Sequence, residues 1–531
     1  MPLRKSPKVT AGGNFLDIEV ICWVMLLLTL SVVLIVRLRL LGIPLERDEG
    51  EYAYLGQLLL QGVPPYKLAY SMKLPGACAV YALLMAVFGE TIKGIHLGFL
   101  IINFASIALI FFIAKRLSGT LAGIISAAAY AVLSVSQSVL GVQAHATHLI
   151  VLAALCGSIL LLKAVENDRK SLIFLSGLFF GLAFLMKQQG IFFIPFGIFY
   201  LSWACKKRSV LAANLMVYSL GAALPFALTC LVLFFAGVFD KFWFWTFQYA
   251  SGYSSGAHVY LAFQIFKAQL LGAIKPFKPV WYIAAAGSLC LFIDAKVRKN
   301  IFFVAALLIS SFLALCPGFI FREHYFVMIL PVVSILCGMC VNSAVEFIKN
   351  RKYPAAFQSF PVIIFTVILA LSVFQQRDYF FTATPERVSR KAYAENPFIE
   401  SISIGNYLKA HSSPEDTIAV LGSEPQIYFY ARRRSATGYI YAYPLMENQP
   451  YALKMQEEMI REIEFQKPLY LVFVKVNTSW LRHGGSENFI FRWAQNYITE
   501  HYDIAGATFI SKQPFSSVLV YKRKAETVSN L

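Results

Sequence analysis

Long apolar runs separated by short polar loops fill the first 375 positions of this 531-residue chain. A membrane-spanning helix needs about 20 apolar residues. Runs of that kind fall at 17–39, 92–114, 119–139, 147–165, 171–188, 190–205, 210–236, 277–293, 300–316, 325–345 and 355–374, which predicts about eleven spans. Residues 76–90 (GACAVYALLMAVFGE) are also apolar, but about five residues short of a crossing.

Basic clusters decide how that segment is read. They fall at Arg4/Lys5/Lys8, Lys115/Arg116, Arg169/Lys170, 206–208, 296–299 and 349–352, in every second loop. Basic loops stay cytoplasmic, so the N-terminus is expected inside. Counting 76–90 as a crossing would move every later cluster outside, so it is expected as a short interfacial helix. The outer segments are then 40–91, 140–146, 237–276, 317–324 and 375–531.

After about residue 376 the pattern changes. TIAVLG (417–422), LYLVFVKV (469–476) and SVLVYKR (517–523) read as strands, and 454–466 and 488–500 as helices. NPFIESISIGNYLKAHSSPEDT reads as an amphipathic helix followed by a turn. This alternation predicts a small α/β domain. The expected fold class is a mostly α polytopic membrane protein of about eleven spans with a C-terminal extracytoplasmic α/β domain. The expected domains are 1–375 and 376–531, with 40–91 as the first outer loop.

Composition agrees. The chain is 58% hydrophobic and 14% charged, against about 25% charged in soluble proteins. Its net charge of +18 sits mostly in the loop clusters, so it reads as topology and gives no support to nucleic-acid binding. The nine Cys lie in or beside apolar runs and show no metal-ligand spacing, so they read as packing residues. The run after the basic N-terminus is too long for a cleaved signal and is expected as a retained helix.

Chemistry-bearing residues gather in the outer segments. Asp48 and Glu49 follow the first span, ahead of an amphipathic helix expected at 51–61 and ended by Gly62 and two prolines. A carboxylate partly shielded from water can take a proton from a hydroxyl nucleophile. The bland alternative is that Asp48 caps the helix. Lys73, before Pro75-Gly76, can hold a lipid phosphate or snorkel to headgroups. Lys187, in Lys187-Gln188-Gln189-Gly190, ends the fifth span on the side where positive charge is disfavoured; its bland reading is an outer headgroup contact. Arg322 can grip phosphate oxygens and His324 can donate to them, although Arg322 can also pair with Glu323. The aromatics at 242–247 read as an interfacial belt, and the Ser/Gly stretch after them as a loop that closes over substrate. One acidic pair and three basic elements therefore map to one face, which suits transfer from a lipid-linked phosphate. A soluble nucleotide-sugar donor would need a nucleotide fold, and neither G-x-G-x-x-G nor a P-loop occurs.

These residues carry a family resemblance. Arg47-Asp48-Glu49-Gly50-Glu51-Tyr52, Gly56-Gln57, Gly62, Pro65-Tyr66 and Lys73-Leu74-Pro75-Gly76 resemble the first outer loop of the family-39-like GT-C glycosyltransferases. That group includes protein O-mannosyltransferases and the bacterial lipid A aminoarabinose transferase. Residues 181–190 (GLAFLMKQQG) and 322–331 (REHYFVMILP) are similar to its later patterns, and the resemblance covers roughly 15–375.

The resemblance implies Asp48 as the catalytic acid/base, with Glu49 beside it. Lys73, Lys187, Arg322 and His324 would bind the donor phosphate. The donor would be an undecaprenyl- or dolichyl-phosphate sugar, transferred with inversion to a protein, lipid or glycan hydroxyl outside the plasma (inner) membrane. Relatives often carry a second acid in the next outer loop. Here Gly141–His148 has none, so His145 is the candidate replacement, and a divalent metal is left open. His145 and Tyr325 are the candidates on the acceptor side.

Two other classes compete. A transporter would show broken midplane helices or repeated halves, and no repeat is seen. A non-catalytic assembly factor would not need Asp48, Lys73 and Lys187 together.

Overall fold

A computed structural model describes residues 18–205, 207–253, 259–510 and 516–525. The basic cluster at Arg4, Lys5 and Lys8, Lys206 and most of the Ser/Gly stretch expected as a closing loop lie outside the described residues.

Helices dominate up to residue 375. They are α1 (Ile18–Arg39), α2 (Arg47–Leu60), α3 (Gly76–Phe88), α4 (Ile92–Ser118), α5 (Thr120–Leu133), α6 (Ala146–Asn167), α7 (Lys170–Met186), α8 (Phe193–Ala204), α9 (Arg208–Phe235), α10 (Val259–Ile274), α11 (Lys278–Ile293), α12 (Ile301–Leu313), α13 (Leu330–Asn350) and α14 (Phe360–Gln375). Six helical stretches are long and apolar enough to cross a membrane, and several shorter apolar helices stand among them. Every expected span has its helix. The segment 76–90 forms the 13-residue α3, packed against α2 and α4.

Close approach between α7 and α9 follows from small residues. A Cβ at Gly177 would lie 2.2 Å from the Tyr218 carbonyl oxygen, and one at Gly181 2.2 Å from that of Ala222. Where lipid removes the hydrophobic incentive for helices to associate, such backbone contact is what holds them. Arg37, buried in α1, donates to Asn103 Oδ1 (3.1 Å) and to the Gly141 carbonyl (2.9 Å). It thereby ties the second outer loop to the bundle.

The outer segment 237–276 departs from expectation. It is mostly helical, and α10 runs through Lys275–Phe277 into α11. Nor are its aromatics chiefly a lipid belt. Phe242, Trp245 and Tyr249 are buried. Trp245 stacks on Tyr70 (5.4 Å between centroids) and packs against Tyr439. Within 242–249, Trp243 keeps the exposure of a belt residue.

The C-terminal region holds a five-stranded sheet: β1 (Thr417–Leu421), β2 (Arg434–Ser435), β3 (Tyr470–Lys475), β4 (Tyr502–Phe509) and β5 (Ser517–Arg523). The order is β2-β1-β3-β5-β4. β1 runs parallel to β2 and β3, and β5 antiparallel to β3 and β4. Helices Ala452–Gln466 and Phe489–His501 pack on it. β4 was not expected: it is an edge strand, largely exposed, and Asp503 and Gly506 interrupt any apolar alternation.

This region docks on the segment between α1 and α3. Arg47 donates to Ser423 O (2.5 Å), Glu424 Oε1 (2.8 Å) and Asn396 Oδ1 (3.1 Å). A Cβ on Gly50 would lie 2.6 Å from Gln426 Cβ, so only glycine lets α2 approach helix Gln426–Ala431 this closely.

Candidate active site

The first turn of α2 is set by its cap, and the cap is Glu46. Glu46 Oε1 accepts from the Glu49 amide and Glu49 Oε2 from the Glu46 amide, both at 2.9 Å, a reciprocal capping box. Asp48 is thus not consumed as a cap, and its side chain remains 25% exposed to a cavity. The helix begins at Arg47, four residues earlier than the amphipathic pattern suggested.

That cavity, of about 760 Å³, lies between the membrane helices and the C-terminal region. Asp48, Lys73, His145, Lys187, Arg322, His324 and Tyr325 all line it, joined by Glu46, Glu51 and, from the C-terminal region, Tyr441, Tyr443 and Glu447. Elements far apart in sequence deliver them. Lys73 comes from the loop before α3, His145 from the N-cap of α6, and His324 from a 3₁₀ turn before α13. Lys187 sits in extended conformation where α7 ends. Next to it, Gln188 Nε2 donates to Met72 O (2.7 Å), stapling the Lys187 turn to the Lys73 loop.

Lys73 Nζ bridges Asp48 Oδ1 (2.7 Å) and Glu51 Oε2 (2.5 Å), and stands 4.6 Å from the Tyr52 ring centroid. The Tyr441 hydroxyl donates to Asp48 Oδ1 at 3.1 Å. Burial pushes the Asp48 carboxyl up, but Lys73 first and Lys187 next outweigh it and hold it well below the usual carboxylate range. Lys73 itself is not a snorkelling residue: burial opposes its charge, yet Asp48 and Glu51 hold its ammonium well above the usual lysine range. Lys187 stands over the Tyr325 ring at 4.7 Å. Burial first, and Lys73 next among the opposing groups, push it down to about 8 although Asp48 pulls it up.

Glu49 differs from expectation. It is fully buried and does not line the cavity. Its carboxylate meets His96 Nε2 at 3.1 Å and accepts from the Ala144 and Glu46 amides. Successive residues of a helix point about 100° apart, so the neighbour of Asp48 turns into the protein and fastens the loop at Ala144.

Asp48, His145 and His324 offer ligand atoms within 4.8 Å of one another, and the two imidazoles stack 4.0 Å apart. Both nitrogens of His145 and Nε2 of His324 are buried without a hydrogen-bond partner. Burial pushes His145 down to about 4 and His324 well below its usual value, leaving neutral rings, the form that ligates. One carboxylate and two neutral imidazoles suit a divalent transition ion. Lys73 and Lys187 work against it as neighbouring positive charge.

Sequence reasoning missed Tyr441, Tyr443 and Glu46. The spacing of Tyr439, Tyr441 and Tyr443 was the available signal, since alternate residues of an extended segment share a face.

The family described as dolichyl-phosphate-mannose-protein mannosyltransferase matches residues 73–235. No curated protein matches the chain. Among solved structures, ArnT from Cupriavidus metallidurans bound to undecaprenyl phosphate is 14% identical, with a TM-score of 0.61 over 94% of this chain and 98% of that one. The Archaeoglobus fulgidus oligosaccharyltransferase tethered with an acceptor peptide is 12% identical, with a TM-score of 0.53 over 85% of this chain and 68% of that one. Archaeal oligosaccharyltransferase AglB, in complex with an inhibitory peptide and a dolichol-phosphate, is 13% identical, with a TM-score of 0.52 over 86% and 70%. The chain is a multi-pass membrane protein with the fold of the GT-C glycosyltransferases. Its architecture is ArnT-like.

Proposed function

We propose that the chain is a membrane glycosyltransferase that moves a sugar from a polyprenyl-phosphate donor to an acceptor hydroxyl, with Asp48 as the base. The observation that carries this is the single cavity in which Asp48 faces Lys73, Lys187, Arg322 and His324. The ligands carried by the ArnT and AglB structures, undecaprenyl phosphate and dolichol-phosphate, support the donor class.

Asp48, ionised at neutral pH, accepts the acceptor proton as the new C1–O bond forms. The C1–O bond to phosphate breaks, and the polyprenyl phosphate departs as an anion. Lys73, Lys187 and Arg322 stabilise that charge, so no proton has to be supplied to it. Attack opposite the leaving phosphate inverts the anomeric carbon. Donor phosphate also draws Lys73 away from Asp48, which raises the basicity of the carboxylate when substrate is present. Asp48, His145 and His324 would hold a divalent ion, which would supply further neutralisation of phosphate charge. In this reading the cavity and the C-terminal region face the extracytoplasmic side, and 1–375 and 376–531 act as two domains. The roles of Tyr325 and His145 are to wall the acceptor approach.

The test is transfer of label from polyprenyl-phosphate sugars to membrane acceptors by wild type and Asp48→Asn at matched expression. Transfer by wild type alone supports the reading. Equal transfer by both removes Asp48 as the base.

A further inference from the structure

We infer that Tyr441, from the C-terminal region, is a positioning residue for Asp48, so that the catalytic carboxylate is set only when that region is docked. The inference rests on the reading of Asp48 as the base.

Three observations converge on Tyr441. Its hydroxyl donates to the same Asp48 oxygen, Oδ1, that Lys73 contacts, at 3.1 Å. Its ring lies 5.5 Å from Lys73 Nζ, so the cation that faces Asp48 also rests against this tyrosine. The segment that carries it is itself held: the Ser423 hydroxyl accepts from the Ala442 amide at 2.9 Å, and the Tyr443 hydroxyl donates to Thr478 O at 2.7 Å. The Tyr443 ring in turn lies 5.3 Å from the Arg47 guanidinium, next in sequence to Asp48.

The chemistry of a single shared oxygen gives the role. With Oδ1 occupied by an ammonium and a phenol, the rotamer of Asp48 is fixed and its other oxygen is turned toward substrate. When Lys73 shifts toward donor phosphate, the phenol remains as the donor that keeps the carboxylate oriented. A group held by a second hydrogen bond loses less precision as its ion pair loosens, and small misplacement of a catalytic group is expensive in rate. Tyr441 moves no proton in this scheme. It holds the carboxylate by one hydrogen bond, so its removal loosens the aim of Asp48.

The experiment compares wild type, Tyr441→Phe and Asp48→Asn as purified full chains in detergent, with a polyprenyl-phosphate sugar as donor. Tyr441→Phe retains the ring and therefore the packing, and a thermal unfolding midpoint equal to wild type establishes that. The expected result is a kcat lower by about tenfold with donor KM unchanged. An unchanged kcat overturns the inference. So does a raised donor KM at unchanged kcat, which would make Tyr441 a donor contact. A wild type that transfers sugar, loses it in Asp48→Asn and keeps its full kcat in Tyr441→Phe overturns this inference alone. A wild type inactive toward every such donor overturns the glycosyltransferase reading and this inference with it.

Discussion

Lys73 Nζ stands 2.7 Å from Asp48 Oδ1 across 25 residues of sequence. The same ammonium reaches Glu51 one helical turn on, so two carboxylates share one cation. Lys73→Met takes the shared cation from both and removes a phosphate contact. The expected outcome is a loss of about 100-fold or more in kcat/KM, read from initial rates of sugar transfer. A loss confined to donor KM would show that Lys73 binds phosphate without setting Asp48.

Lys187 gives a pH signature. Burial depresses its ammonium to about 8, so it is charged below that pH and neutral above it. Donor phosphate needs the charged form, and kcat/KM for donor should therefore fall as pH rises through 8. Lys187→Arg keeps its charge throughout and should abolish that alkaline limb. A wild-type profile flat from about pH 7 to 10 would remove Lys187 from donor binding.

Asp48, His145 and His324 make metal content measurable. Dialysis against a chelator should lower transfer, and Mn²⁺ or Zn²⁺ should restore it at about one ion per chain. The double variant His145→Ala/His324→Ala should lose both binding and restoration. Full activity in metal-free protein would assign the imidazoles to direct hydrogen bonding with substrate.

Glu49→Ala separates the neighbour of Asp48 from the chemistry. It leaves His96 and two buried amides without their acceptor, which should cost about 3 kcal/mol of stability. SDS-driven unfolding checks it. Undiminished stability with lost activity would return Glu49 to the reacting groups.

The spans, the three tail strands at 417, 469 and 517, and the cavity residues Asp48, Lys73, Lys187, Arg322 and His324 were legible because each carries a local signal. Apolar runs of membrane length, apolar strand runs and charges set beside apolar runs all declare themselves without tertiary context. The different fates of Asp48 and Glu49 were not legible, because adjacency in sequence says nothing about which carboxylate a helix turns inward. The cap role of Glu46 was equally hidden, since aspartate is the commoner cap. Nor could the aromatics at 242–249 be told from a bilayer belt until Tyr70 and Tyr439 were seen to cover them. Tyr441 reaches Asp48 across 393 residues, a separation that no local pattern spans.

Gly50 tests the docking directly. A leucine there would drive its Cβ into Gln426, whose backbone nitrogen lies 2.7 Å from that position. Gly50→Leu should open the seam between α2 and the C-terminal region, speed tryptic cleavage between the two, and slow transfer. Wild-type cleavage kinetics would mean that the seam tolerates displacement.

Arg47 is gripped by Ser423, Glu424 and Asn396, and this bears on how such proteins diversify. A tail that merely covered an active site could be exchanged between relatives like a cassette, bringing a new acceptor preference with it. Here the first outer loop and the tail are two halves of one fitting. A chimera that joins residues 1–375 to a foreign tail inherits function only if that tail also carries the acid, the amide and the tyrosines that reach back to positions 47 and 48. Drift on either side of the seam is therefore tied to drift on the other, and new specificity is expected to come from changes within the cavity wall before wholesale replacement of the tail.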